Sequence, residues 1–188
     1  MKKILLFLAA LLLSLNVSAR EVADITIAET AQLGDSKLQL NGAGVRVKII
    51  IDVYIAALYL EKQTNKAEEV LADAGNKRVM LRMLYGMKSS RLLNAMKDAI
   101  DDNNSAAELV LLDTRLKKFY AVLEAMPGVT PGDVILLDYV PGTGTKVTIN
   151  GTVRGVVEGA DFYRALLKIW LGDKPVQSEL KKDLLGVK

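Results

Sequence analysis

The sequence predicts an α+β domain built on a large, mainly antiparallel sheet that a layer of helices covers. Two observations lead to this prediction. The segments come in runs, with strands first, then helices, then a meander of strands and then helices again. A parallel sheet requires strands that alternate with helices, so runs of like elements favour antiparallel pairing. Within the meander, Asn150-Gly151 is the strongest two-residue signal for a β-hairpin.

Residues 1–19 have the pattern of a secretory signal peptide. Lys2 and Lys3 form a basic start, residues 4–13 form a short apolar run, and Val17-Ser18-Ala19 is a small-residue cleavage site. The apolar run is shorter than the roughly 20 residues that a membrane-spanning helix needs, which argues against an uncleaved anchor. We therefore predict an exported protein that is periplasmic after cleavage of residues 1–19, with no transmembrane span in the mature chain. Residues 20–188 have the length of a single domain.

The composition excludes several classes of function. The chain contains no cysteine and no histidine. It therefore has no disulfides, no Ser-His-Asp or Cys-His catalysis and no histidine-bound zinc or haem. We expect no metal and no cofactor. Removal of the two signal-peptide lysines lowers the formal charge from +3 to +1, with 25 − 2 basic residues against 22 acidic ones. A domain with so small a net charge lacks the broad basic surface that nucleic-acid binding requires.

The segment from Leu40 to Glu61 reads LNGAGVRVKIIIDVYIAALYLE and organises the prediction. Residues 41–44 are expected to form a hairpin turn in which glycine supplies positive φ. From Val45 onward every second residue is apolar or aromatic, which predicts one long strand with a continuous apolar face. The other face suits either a small amphipathic ligand or solvent, because near its start it collects Arg46, Lys48, Asp52 and Tyr54.

The remaining elements follow from periodicity and from turn residues. Further strands are predicted over residues 23–28, 77–87, 133–140, 146–149 and 152–157. Helices are predicted over residues 66–74, from Lys88 to the break at 101–104, from there to Pro127-Gly128, over residues 160–171, and in a short last segment that Ser178 caps.

Three side chains are candidates for ligand contacts on chemical grounds. Arg46 could grip a carboxylate or a phenolate in a fork, or it could be a solvated strand residue or a partner of Asp52. On a single strand Tyr54 lies eight residues further on, too far to touch Arg46, although a ligand could span the two. A packing role for Tyr54 is the alternative. Trp170 either lines a ligand site or fills the core.

Two stretches together resemble the chalcone isomerase family. The first is Gly-Ala-Gly-Val-Arg followed by Ala-Ala-Leu-Tyr-Leu-Glu within residues 40–61, and the second is DFYRALLKIWLGDKPVQSELKKDLLG within residues 160–186. The resemblance is closest to the bacterial, exported chalcone isomerase-like proteins. It implies an open-faced β-sandwich, in which a large antiparallel sheet has a layer of helices against it.

The resemblance also implies roles for particular residues. Arg46 matches the arginine that holds the substrate's phenolate in true chalcone isomerases, and Tyr54, Ile169 and Trp170 match cleft positions. Ser89 and Met96 stand where the enzyme has a catalytic tyrosine and a cleft asparagine, so both polar groups are missing. Some members of this fold bind fatty acids and use the equivalent arginine to hold the carboxylate.

These observations predict an exported, non-catalytic protein that binds a small amphipathic carboxylate such as a fatty acid. Arg46 and Tyr54 would contact the head group, and the tail would lie against Met96, Ile169 and Trp170. One alternative is an isomerase or intramolecular lyase that acts on a phenolic or enone substrate with Arg46 as the electrophile. A second alternative is a structural or interaction protein of the envelope whose cleft is filled.

Overall fold

The structure is a computed structural model that describes residues 19–187. Apart from Ala19, the predicted signal peptide lies outside these residues. Among residues 19–187, no helix has the length and apolar character required to cross a membrane.

The described residues form nine strands and five helices. The strands are β1 (Ala19–Val22), β2 (Ile25–Ala28), β3 (Thr30–Leu33), β4 (Ser36–Lys48), β5 (Ile51–Leu60), β6 (Lys77–Met83), β7 (Val134–Val140), β8 (Gly144–Ile149) and β9 (Thr152–Val157). The helices are α1 (Ala67–Ala72), α2 (Ser89–Asn103), α3 (Ala106–Glu124), α4 (Ala160–Leu171) and α5 (Ser178–Leu184).

Seven of the strands form one antiparallel sheet. Its order follows the chain from β3 to β9, and β1 and β2 form a separate two-stranded sheet. The connection between β6 and β7 contains helices α2 and α3. The predicted α+β class, with an antiparallel sheet and a layer of helices, is confirmed. The predicted hairpin at Asn150-Gly151 joins β8 to β9, and both residues have positive φ, as such turns require.

The helices cover one face of the large sheet. Side chains of β5 and β6 on this face, such as Leu58 and Leu81, pack with α2, α3 and α4 in the main hydrophobic core. Trp170 of α4 is the largest fully buried side chain of this core. The hairpin of β1 and β2 packs on the opposite face, where Ile27 joins Leu38 in a smaller cluster. The cleft described below opens on the helix-covered face.

The segment predicted as one long strand is instead a hairpin of two strands. Strand β4 continues to Lys48, Ile49 and Ile50 form the turn, and β5 begins at Ile51. The prediction of a single strand was wrong because isoleucine is a typical strand residue and carries no turn signal. The predicted apolar face is not continuous, because Ile49 is exposed in the turn and Val53 packs on the helix-covered side whereas Ile55 packs on the opposite side.

The predicted turn at residues 41–44 is also wrong, since these residues lie inside β4. Neither Gly42 nor Gly44 has positive φ. Helix α5 packs on them so closely that a Cβ atom on Gly42 would overlap the carbonyl oxygen of Asp183 and lie 2.7 Å from that of Leu184. These glycines are needed because α5 approaches the strand closely at this point. From the sequence alone, the same glycines indicated a turn.

Smaller differences concern the ends of elements. The strand predicted over residues 23–28 begins only at Ile25, because Ala23 and Asp24 adopt positive φ in the turn between β1 and β2. The strand predicted over 77–87 ends at Met83. Ser178 is the first residue of α5, and the N-cap position belongs to Gln177. The five predicted helices are all present, with ends that shift by a few residues.

An ion pair joins β6 to β7 on the face away from the helices. Arg78 donates from Nε and Nη2 to the two carboxylate oxygens of Asp138, over 2.6 and 2.9 Å. The two residues are direct partners in the strand register. Asp138 is only 1% exposed, and Lys146 on β8 lies 3.9 Å from it. The pair thus satisfies a carboxylate that the sheet removes from water.

Candidate functional site

A cleft of about 830 Å³ opens between the β4–β5 hairpin, helix α2 and the segment that follows α4. Ligand clefts of proteins generally measure roughly 300–1,000 Å³, so this volume suits a small molecule. The hairpin contributes residues from Arg46 to Tyr54, α2 contributes one side, and the wall is completed by Ile169 and residues 174–176.

Arg46 is half-buried at the strand end of the cleft. Its Nη1 donates to the carbonyl oxygen of Val47 and, over 3.3 Å, to Oε1 of Gln177. The same Oε1 accepts the backbone N–H of Val47 at 2.8 Å, so Gln177 fixes both the strand and the guanidinium. Among the described residues, no carboxylate forms an ion pair with Arg46, and its Nε and Nη2 donate to no protein group. The alternative partner Asp52 therefore does not pair with it.

Tyr54 lies directly opposite Arg46 across the hairpin. The expectation that the two are too far apart to touch was wrong, because it assumed one strand where the chain forms two. Residues opposite each other in antiparallel strands have Cα atoms only ~5 Å apart. The hydroxyl of Tyr54 accepts a hydrogen bond from Nε1 of Trp170 over 3.1 Å. Nothing among the described residues accepts its own proton, which is free for a ligand.

Burial raises the pKa of the Tyr54 hydroxyl above its ordinary value, against smaller lowering effects of the Trp170 hydrogen bond and the Arg46 charge. The phenol is therefore protonated at neutral pH and acts as a donor. A guanidinium fork and a phenol donor side by side can hold a carboxylate.

The structure brings four of the five predicted contact residues to the cleft wall. Arg46, Tyr54, Met96 and Ile169 all line it. Trp170 does not line the cleft, because it is 1% exposed and stands behind Tyr54, where it fixes the phenol. The apolar part of the wall also includes Ile51, Val53, Met87, Leu92, Ala99 and Val176.

Two residues of the cleft region were not identified from the sequence. Tyr85 lines the cleft and is 40% exposed, although the strand predicted over residues 77–87 would place it on the same face as the buried Leu81 and Met83. That strand ends at Met83, so the alternation that would bury Tyr85 stops before it. Gln177 contacts Arg46 only because α5 begins there, and no sequence pattern identifies it.

The cleft carries an excess of positive charge. Its basic residues are Arg46, Lys48, Arg91 and Lys174, and its acidic residues are Asp98 and Asp102. Ser89 is the first residue of α2 and is not on the cleft wall, whereas Met96 is buried and places a thioether there. Within residues 19–187, no group of three or more acidic, histidine or cysteine side chains is arranged to hold a metal ion.

Comparisons with known proteins identify the fold and the family of this chain. A crystal structure of a fatty-acid binding protein from Arabidopsis thaliana superimposes with a TM-score of 0.67, covering 89% of this chain and 96% of that chain at 21% sequence identity. At that identity the likeness shows the fold. No curated protein matches the sequence. The model of the family described as chalcone isomerase-like matches residues 19–186. This chain therefore belongs to the chalcone isomerase-like family.

Proposed function

We propose that this protein binds a small amphipathic carboxylate, such as a fatty acid, without transforming it. One observation carries the proposal. Arg46 stands at one end of a cleft with its Nε and Nη2 free among the described residues, next to a phenol whose proton is also free. The guanidinium can only donate, and the phenol already accepts from Trp170 and has its proton left to donate, so together they call for an anionic acceptor.

The head group would lie between Arg46 and Tyr54. The guanidinium offers two parallel donors that match the two oxygens of a carboxylate. Gln177 and the carbonyl oxygen of Val47 restrain Nη1, which leaves the opposite edge of the guanidinium for the ligand. The surplus positive charge of the cleft favours the same ligand charge.

The tail would lie along the apolar wall of the cleft. Met96 of α2 and Ile169 of α4 line the cleft together with the strand residues Ile51 and Val53. An unbranched tail gains affinity from the apolar area that it buries, and methionine adapts readily to such a tail. The similar Arabidopsis structure is titled a fatty-acid binding protein, which supports this choice of ligand class.

Replacement of Arg46 by alanine tests the site directly. We expect fatty-acid affinity to fall by about 10- to 100-fold, which corresponds to the roughly 1.5–3 kcal/mol of a hydrogen bond to a charged group. Isothermal titration with a soluble fatty acid measures the affinity. Trp170 is the only tryptophan, so its emission reports on Tyr54 in the same titration. Arg154, exposed on β9 away from the cleft, provides the matched control Arg154→Ala.

Equal binding by wild type and Arg46→Ala would remove the proposed head-group site. The isomerase alternative has one observation in its favour, which is the phenol of Tyr85 on the cleft wall. Consumption of a chalcone by the wild type, lost in both Arg46→Ala and Tyr85→Phe, would replace the binding proposal with that alternative. The open cleft beside Arg46 argues against the second alternative, a protein whose cleft is filled.

We further propose that the protein works in the periplasm after export. The basic start, the apolar run of residues 4–13 and the small residues before Arg20 support this. When the full chain is expressed in a bacterium, we expect the periplasmic fraction to contain a form that begins at Arg20. Mass spectrometry of the N-terminus measures this. A chain found only in the cytoplasm with residues 1–19 attached would contradict it.

A further inference from the structure

The tip of the β4–β5 hairpin exposes two large apolar side chains. Ile49 is 91% exposed and Ile50 is 89% exposed, and they form the whole two-residue turn. Ile51, the next residue, and Tyr85, which lines the same cleft, are also exposed. Scattered exposed apolar residues are common, but a paired apolar tip next to a ligand cleft is a specific arrangement.

The backbone conformation of this turn does not favour isoleucine. Ile49 has φ +61°, a left-handed conformation in which β-branched side chains are strained. In the same sheet, the two-residue turn between β8 and β9 consists of Asn150-Gly151, which adopt positive φ readily. A strained backbone with solvent-exposed isoleucine points to a role other than turn formation.

The tip stands at the mouth of the cleft. Ile49 and Ile51 line its strand side, and Tyr85 lines the adjacent wall. Of the charged residues that line the cleft, four are basic and two are acidic, so this charged lining, called the rim below, is positive overall. An apolar tip within a positive rim is complementary to a lipid surface with anionic head groups.

We propose that the tip formed by Ile49 and Ile50 inserts into the surface of an anionic lipid bilayer and places the cleft mouth against it. This inference rests on the proposed function, because an amphipathic carboxylate partitions into bilayers and would enter or leave the cleft there. Apolar insertion and attraction to anionic head groups together give a reversible attachment.

A lipid surface fits the tip better than a second copy of the chain does. Stable protein interfaces bury about 800 Å² on each partner. Two side chains on a projecting turn provide only a small part of that area, and the positive rim would repel an identical rim. A bilayer requires no matching surface and accepts a narrow tip.

The double variant Ile49→Gly/Ile50→Ser tests the proposal. Glycine adopts positive φ without strain, so we expect this variant to melt no lower than the wild type. The form that begins at Arg20 is mixed with vesicles of phosphatidylglycerol and phosphatidylethanolamine, or of phosphatidylcholine alone, and bound protein is measured by flotation. We expect wild type to bind the anionic vesicles more tightly, and the variant to lose about tenfold or more of that binding.

Helix α3 offers a matched control. Val110 and Leu111 are another adjacent pair of exposed apolar side chains, both 76% exposed and away from the cleft. Val110→Ser/Leu111→Ser should float as the wild type does. Undiminished flotation of the tip variant, an equal loss in the α3 control, or equal binding to both kinds of vesicle would overturn the proposal. Lipid-free dimers that only the tip variant abolishes would identify the tip as a contact between copies.

Two single variants separate this proposal from the proposed function. Ile50 does not line the cleft, so Ile50→Ser should bind soluble fatty acid normally but float less. Arg46→Ala removes one of the four basic residues of the rim but keeps the tip, so it should bind fatty acid weakly and keep most of its flotation. Normal ligand binding by Arg46→Ala with reduced flotation of Ile50→Ser would reject only the ligand site. The reverse pair of results would reject only the membrane tip.

Discussion

Replacement of Gly42 by alanine is expected to lower the free energy of unfolding by about 3 kcal/mol, at the upper end of the usual range for overpacking. The added Cβ atom would overlap the carbonyl oxygen of Asp183 and come within 2.8 Å of the carbonyl carbon of Leu184. Both are backbone atoms of the last turn of α5, so no side-chain rotation relieves the overlap. Either α5 or strand β4 has to move, and urea denaturation measures the cost.

Gly75 provides a matched glycine-to-alanine control. A Cβ atom there would meet only the ends of the Glu61 and Asp73 side chains, which can rotate away. We expect Gly75→Ala to change the free energy of unfolding by less than about 1 kcal/mol. Similar values for the two variants would mean that α5 is not held tightly against β4.

The same substitution at Gly42 should also weaken ligand binding. Helix α5 starts after Gln177, whose Oε1 accepts from Arg46 and from the N–H of Val47. Asn41 donates to the carbonyl oxygen of Leu184 at the other end of α5. A displaced α5 therefore loosens the guanidinium, and we expect the fatty-acid affinity of any folded Gly42→Ala to fall with it.

Removal of the Asp138 carboxylate is expected to cost about 3–5 kcal/mol of stability, as is typical when one partner of a buried ion pair is lost. Asp138→Ala removes the carboxylate whose two oxygens accept hydrogen bonds from Arg78. The guanidinium of Arg78 is then left without a partner in a largely buried position. Lys146 also loses its neighbouring carboxylate. Urea denaturation again measures the loss.

An exposed ion pair on α3 provides the contrast. Lys117 and Asp113 lie 2.7 Å apart, but both side chains are mostly in solvent. We expect Asp113→Ala to cost less than about 0.5 kcal/mol. Replacement of both Arg78 and Asp138 by apolar residues should cost less than Asp138→Ala alone, since the charge left without its partner, Lys146, is 34% exposed to solvent. A small effect of Asp138→Ala would show that water reaches Arg78 easily.

Much of the fold could be predicted because its signals are local. The apolar spacing of α2 and α4 identifies two helices, and Asn150-Gly151 identifies its hairpin from turn chemistry alone. The family resemblance, now confirmed by the family match, identified Arg46 as the central residue to consider. These features depend on residues that are close together in the sequence or on motifs that can be recognised in the sequence directly.

The geometry of the site could not be predicted, because it depends on tertiary contacts. The turn at Ile49-Ile50 contains strand-forming residues, so Arg46 and Tyr54 were placed on one strand instead of opposite each other. Gly42 and Gly44 indicated a turn, whereas their actual role is to admit α5. Trp170 was expected in the cleft, but it supports Tyr54 from behind. In each case a residue type has two common uses, and only the packing decides between them.

The placement of Arg46 and Tyr54 on one short hairpin has a consequence for how selectivity could evolve. Both head-group donors belong to a stretch of nine residues, 46–54, whereas Met96 and Ile169 belong to helices far along the chain. Under the proposed function, substitutions at Arg46 or Tyr54 would alter the accepted head group and leave the tail contacts of Met96 and Ile169 intact. Substitutions on α2 and α4 would alter the accepted tail length in the same independent way. Descendants of this chain could thus change one preference at a time.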